Sequence, residues 1–208
     1  MKKLIKQMLR ETLLDESKQV GTIYHFTSII KAQEIIQSGM IIGHPEKFRN
    51  SQKRFMCIST TRDQNFWNVP REIGARVEIR FNFDGDAISH KYPVKPFNYF
   101  YSQGTRSNPA NSESEEVIIL SAKKAGFDFQ DYLIDLTCDL NIIYRKNQNK
   151  FTEYDEMSMQ MTPILEDILR LAYICSEHGY KMNVIPNQEM AKNPDLEPII
   201  NNIFKYCK

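Results

Sequence analysis

The chain has 208 residues, enough for one sizeable core or a domain with a small appendage. Apolar content of 41% and charged content of 25% are those of an ordinary globular protein, which excludes a fibrous or wholly disordered chain. A formal net charge of +1 excludes the large basic excess of a protein held on nucleic acid mainly through phosphates.

Two basic stripes, Lys2, Lys3, Lys6 and Arg10, then Lys47, Arg49, Lys53 and Arg54, fit solvated faces. Cys57, Cys138, Cys175 and Cys207 contain no C-x-x-C pair, which argues against a zinc site and a disulfide framework. Lys, Gln and Arg break up the apolar residues of MKKLIKQMLRETLL, so no secretory signal is expected. No run approaches the roughly 18 apolar residues of a membrane span. The expected setting is a reducing cytoplasm, with no membrane and no metal.

Leu4, Ile5, Met8, Leu9 and Leu13 fall at helical spacing and predict an amphipathic N-terminal helix. Val20 to Thr27 is β-branched and aromatic and predicts a strand. A helix follows, with Ser28 as N-cap, Ile29, Ala32, Ile35 and Ile36 as its buried stripe, and Gly39 at its end. Phe55 to Ser59 predicts a strand buried on both faces. From Ala75 to Phe83, Ala75, Val77, Ile79, Phe81 and Phe83 alternate with Arg76, Glu78, Arg80 and Asn82, predicting one buried and one wet face. Asp84-Gly85 supplies turn chemistry after it.

Tyr92 to Asn111 carries Pro93, Pro96, Gly104 and Pro109 among aromatics and predicts a long loop. Val117 to Leu120 predicts a short strand preceded by Glu113, Glu115 and Glu116, and Leu140 to Tyr144 another. After the polar connector KNQNK, Thr162-Pro163 marks a helix start, with Ile164, Ile168, Ala172 and Cys175 on one face up to His178-Gly179. A last helix runs from Asp195, with Leu196, Ile199, Ile200 and Ile203 inward. Strands first and helices last predict an α+β fold: one domain over 1–208, a core over about 20–145 and a helical extension over about 150–208.

Neither G-x-G-x-x-G nor G-x-x-x-x-G-K-[ST] occurs, and the four histidines lack metal-pair spacing. Three segments carry chemistry. In Tyr24-His25-Phe26-Thr27, His25 and Thr27 share one strand face and fit either a common ligand or a core histidine beside a helix entry. Ser59, Thr60, Thr61 and Arg62 leave an apolar strand, as sugar- and pyrophosphate-binding groups do and as a polar turn also does. Glu113-Ser114-Glu115-Glu116 at a strand mouth suits stabilisation of positive charge at a sugar carbon, or a solvated acidic turn.

Taken in order, strand–His-x-Thr–helix–Gly, strand–Ser-Thr-Thr and Glu-Glu–strand resemble the ADP-ribosyltransferase superfamily over about Thr22 to Leu120. YHFTSIIKAQEIIQSGMI is similar to the opening of DarT-like toxins that modify DNA bases, PARP-like enzymes and RNA 2′-phosphotransferases. The resemblance implies a small split, mixed β-sheet core and mono-ADP-ribosyl transfer from NAD⁺ to a macromolecular acceptor, protein or nucleic acid. It further implies a bacterial toxin or phage effector. By this resemblance His25 and Thr27 hold the nicotinamide-side ribose, Ser59, Thr60 and Thr61 brace the nicotinamide floor, and Arg62 meets the phosphates. Glu116 takes the catalytic position; because the family's Glu-x-Glu is Ser114-x-Glu116 here, Glu113-x-Glu115 is a second register. Tyr92, Phe97, Tyr99, Phe100 and Tyr101 are all candidates to stack on nicotinamide. A competing expectation is a binding module of the same fold, whose aromatic loop, with Lys95 and Arg106, holds a protein or single-stranded nucleic acid. A 2′-phosphotransferase is disfavoured, because basic residues are not gathered near His25.

Overall fold

The structure is a computed structural model that describes residues 20–47, 54–65, 78–96, 115–120 and 125–207. The Leu4–Leu13 stripe, Glu113 and the aromatic loop from residue 97 onward lie outside the described residues. In chain order the elements begin with β1 (Thr22–Thr27), α1 (Ile29–Ser38), β2 (Met40–Ile42), β3 (His44–Lys47), β4 (Arg54–Thr61), β5 (Ile79–Asp84) and α2 (Gly85–Lys91). Then come β6 (Val94–Pro96), β7 (Glu115–Leu120), β8 (Gly126–Asp128), β9 (Leu133–Asp139) and α3 (Leu140–Asn147). The chain ends with α4 (Tyr154–Glu177), β10 (Met182–Ile185), α5 (Gln188–Lys192) and α6 (Glu197–Tyr206). Helices and a mixed set of parallel and antiparallel strand pairs accord with the α+β class expected. The described residues fall into two compact units: those within 20–24, 41–64 and 83–127 form the first, and those within 25–40, 65–82 and 128–207 the second.

In the first unit β4 pairs antiparallel with β3 and with β7, and β7 pairs with β6. Its apolar centre includes Ile58, Ile118, Leu120, Phe83 and Phe127. Phe127 meets Phe83 and Tyr92 edge-on at 6.0 and 5.4 Å. Asp84-Gly85 opens a helix instead of a turn. The Asp84 carboxylate accepts the Ala87 N–H at 2.9 Å, which is N-cap chemistry and starts α2. Val94–Pro96 in turn forms a short strand within the expected loop.

In the second unit α1 follows its sequence: Ser28 Oγ accepts the Lys31 N–H at 3.3 Å, and Gly39 takes the left-handed conformation at φ 68°. Ile29, Ala32, Ile35 and Ile36 are buried, joined by Gln33, whose amide donates to the Asp167 carbonyl at 2.8 Å. On β5 the apolar row behaves as its alternation predicts, with Ile79 and Phe81 fully buried. The opposite row is not wet. Glu78 and Asn82 are each only 8% exposed. Asn82 donates to Asp135 and to Thr137 Oγ1, and Arg80 donates to Asn82 Oδ1 at 2.8 Å and to Thr137 Oγ1 at 3.2 Å. β9 therefore supplies the partners that allow a polar face to be covered.

Leu140–Tyr144 is helical. Asp139 accepts the Asn141 N–H at 2.9 Å and caps α3, so the apolar pair Ile142–Ile143 is buried from a helix. β9 and β10 were not expected and pair in parallel, joined through α3 and α4, so the order is not simply strands then helices. Pro163 lies inside α4 rather than at its start. The helix begins at Tyr154, where Glu156 accepts the Thr152 N–H and hydroxyl at 2.8 and 3.1 Å. Those contacts hold the Glu156 carboxyl below its ordinary range. Met157, Met161, Leu165, Ile168, Ala172 and Cys175 bury one continuous stripe, which outweighs the hydrogen bond lost at proline. In α6 Ile200 and Ile203 are buried, as is Leu196 just before it, as the spacing predicts. Among the described residues no helix is long and apolar enough to cross a membrane.

Candidate functional site

In the first unit the end of β4 is rich in hydroxyls. Ser59 is exposed, while Thr60 and Thr61 are 5% and 2% exposed. The antiparallel register sets Ser59 opposite Val117, Thr60 opposite Glu116, and Thr61 opposite Glu115. Two segments 56 residues apart in the chain are thus laid side by side, hydroxyl against acid position. The acidic positions belong to the strand itself rather than preceding it, because β4 keeps pairing as far as Thr61. Beyond the pairing, Thr61 Oγ1 accepts the Asp63 N–H at 3.0 Å and turns the chain, leaving Arg62 exposed. On the other edge of β4, Tyr24 stands opposite Thr61.

One contact in this unit had no signal in the sequence. His44 on β3 pairs with Cys57, and its Nε2 lies 3.3 Å from Cys57 Sγ and 3.5 Å from Ser59 Oγ. A lone histidine after a glycine gives no local hint of a partner thirteen residues on.

His25 and Thr27 belong to the second unit. Both are half-buried. The His25 ring sits 6.3 Å from that of Phe81, tilted, and the Thr27 carbonyl accepts the Glu78 N–H at 3.0 Å. Directly after Thr27, the start of α1 borders a cavity of about 220 Å³ lined by Ser28, Ile29, Glu78, Lys146, Asn147, Lys150 and Asp167, among others. The helix start brings the positive end of its dipole to this cavity, and the two lysines on the lining are balanced by the two acids Glu78 and Asp167. The lysines and Glu78 were missed because they come from segments with no motif of their own.

Tyr92 is 8% exposed and packs on Phe127, so among the stacking candidates it serves the core. Among the described residues no three His, Cys, Asp or Glu side chains are grouped as a metal ion would need. No family model, curated protein or solved structure matches this chain.

Proposed function

We propose that the protein is a mono-ADP-ribosyltransferase of the ADP-ribosyltransferase superfamily, using NAD⁺ to modify a macromolecular acceptor. The observation that carries this reading is the register that pairs Thr60 with Glu116 and Thr61 with Glu115. In the reaction the bond between nicotinamide and ribose breaks, and nicotinamide leaves with the electron pair. The acceptor nucleophile then bonds the same ribose carbon and gives up its proton. Positive charge grows on the ribose in between, so a fixed carboxylate stabilises the transition state more than bound NAD⁺. Glu116 takes that role and holds the ribose 2′-hydroxyl, with Ser59, Thr60 and Thr61 bracing the nicotinamide side. Arg62 matches the charge of the diphosphate.

The test is nicotinamide release, followed by chromatography, when the purified protein is incubated with NAD⁺ and cell extract. Release is expected, and Glu116→Gln should lower its rate about 100-fold or more while leaving the melting temperature nearly unchanged. If Glu116→Gln is fully active and Glu115→Gln is dead, the acid belongs to the neighbouring register. An absence of release across a broad range of extracts, or full activity in both variants, would overturn the assignment.

A further inference from the structure

Helix α4 carries a second stripe beside its buried one. Leu169 and Arg170 stand one turn before Tyr173 along α4, and Asn202 stands one turn before Lys205 and Tyr206 along α6. Where the two helices pack, these side chains line an open cavity of about 460 Å³, within the size range of small-molecule sites. Tyr173 and Tyr206 are 47% and 38% exposed. Their rings meet perpendicular at 5.5 Å, an arrangement that sets two large, partly exposed aromatic surfaces on the groove.

The charges alongside are of one dominant sign. Arg170 and Lys205 line the groove against the single acid Glu166. Lys205 donates to Asn202 at 2.8 Å, and both residues line the groove. Arg170 is exposed and makes no ion pair among the described residues, although Glu166 is only four residues before it. A surface aromatic pair flanked by an unpaired guanidinium and an ammonium matches a ligand that is both flat and anionic. A purely apolar ligand would leave the cations unused, and a simple anion would leave the rings unused.

We propose that this groove binds a nucleotide unit, with its base stacked on the Tyr173–Tyr206 pair and its phosphate on Arg170 and Lys205. Stacking on tyrosine is tolerant of base identity, and a guanidinium fork suits two phosphate oxygens at once. The same chemistry is offered by a free nucleotide and by a single-stranded nucleic acid. The site lies in the helical part of the second unit and does not rest on the NAD⁺ reading.

The experiment is fluorescence anisotropy of a fluorescein-labelled twelve-nucleotide oligothymidylate, with AMP as competitor. Binding is expected. Tyr206→Ala should weaken it about tenfold and Tyr206→Phe should restore it, since the ring and not the hydroxyl stacks. Arg170→Glu should weaken it tenfold or more and make affinity less dependent on salt, because a phosphate contact is lost. AMP displacing the probe near its own concentration range identifies a free-nucleotide site; displacement only at far higher concentration identifies a single-strand groove. Unchanged thermal melting of these surface variants keeps loss of binding from being loss of fold. The proposal fails if neither probe binds at about 1 mM, or if Tyr206→Ala and Arg170→Glu bind like the parent. It also fails if the parent is a dimer by size exclusion that Arg170→Glu converts to monomer, which would make the groove a subunit contact.

Discussion

Gly85 offers a prediction in which local and tertiary physics disagree in sign. It is the first residue of α2, and replacing glycine by alanine in a helix ordinarily gains roughly 0.5–1 kcal/mol. Here a Cβ on residue 85 would lie 2.3 Å from the Gly21 carbonyl oxygen, 2.9 Å from Val20 Cγ1 and 3.2 Å from Ile23 Cγ2. The nearest of these is backbone, and it is the acceptor of the Gly85 N–H at 2.9 Å. Neither side yields cheaply, because Asp86 of the same helix turn holds the N–H groups of Val20 and Gly21. Overpacking costs about 1–3 kcal/mol and a strained hydrogen bond about 0.5–1.5 kcal/mol. Against the helical gain, Gly85→Ala should destabilise by on the order of 2 kcal/mol, or roughly 4–8 °C in melting temperature for a chain of this length. Urea and thermal unfolding followed by circular dichroism measure it. Gly21→Ala is the control: φ is +70° there but nothing stands within 4 Å, so only backbone strain of about 1 kcal/mol is expected. A Gly85→Ala protein that melts at or above the parental temperature would show that the β1–α2 contact does not exist as described.

Asn193 is fully buried, donating to Tyr154 O and Ser158 Oγ and accepting from the N–H groups of Asp195 and Leu196. Asn193→Ala should therefore cost about 2–4 kcal/mol in urea unfolding, and a cost under about 1 kcal/mol would contradict the network. Burial pushes the thiols of Cys175 and Cys207 up to about 12 and about 11, and that of Cys138 higher still. These thiols stay protonated in the folded chain at pH 8, so alkylation of Cys138 and Cys175 by iodoacetamide should be slow until urea unfolds the protein. Because ionisation favours the unfolded state, their contribution to stability is complete below about pH 9 and falls as pH rises toward 12. Cys175→Ala should lessen that fall in a series of urea midpoints, and an unaltered slope would refute the cause given.

The features legible in the sequence are those that a few neighbouring residues decide. Ser28, the Ile29–Ile36 stripe and Gly39 specify α1 completely, since cap, face and stop are all local. The apolar half of β5 was equally legible. Its polar half was not, because the groups that cover Asn82 are Asp135 and Thr137, more than fifty residues away. Asp84 and Asp139 illustrate a different failure. Both are N-caps, but glycine after one suggested a turn, and the short apolar run after the other fits strand and helix alike. In α4 Met157 and Met161 continue the stripe of Leu165 at four-residue spacing, upstream of a proline that resembles a helix start.

In the candidate site the decisive feature is again set at long range. The order of the hydroxyl and acid segments is visible in the chain, but their register is not, and the register is set by residues that have no part in the chemistry. β4 and β7 align Met56 with Leu120, Cys57 with Ile119 and Ile58 with Ile118, and Ile58 and Ile118 are 2% and 0% exposed. A slip of one residue would turn each buried side chain to the other face of its strand. To move Glu116 away from Thr60, the pair Ile58–Ile118 would have to leave the core. The meeting of acid and hydroxyl positions is therefore enforced by hydrophobic packing, and any chemistry placed there inherits its geometry from the sheet interior.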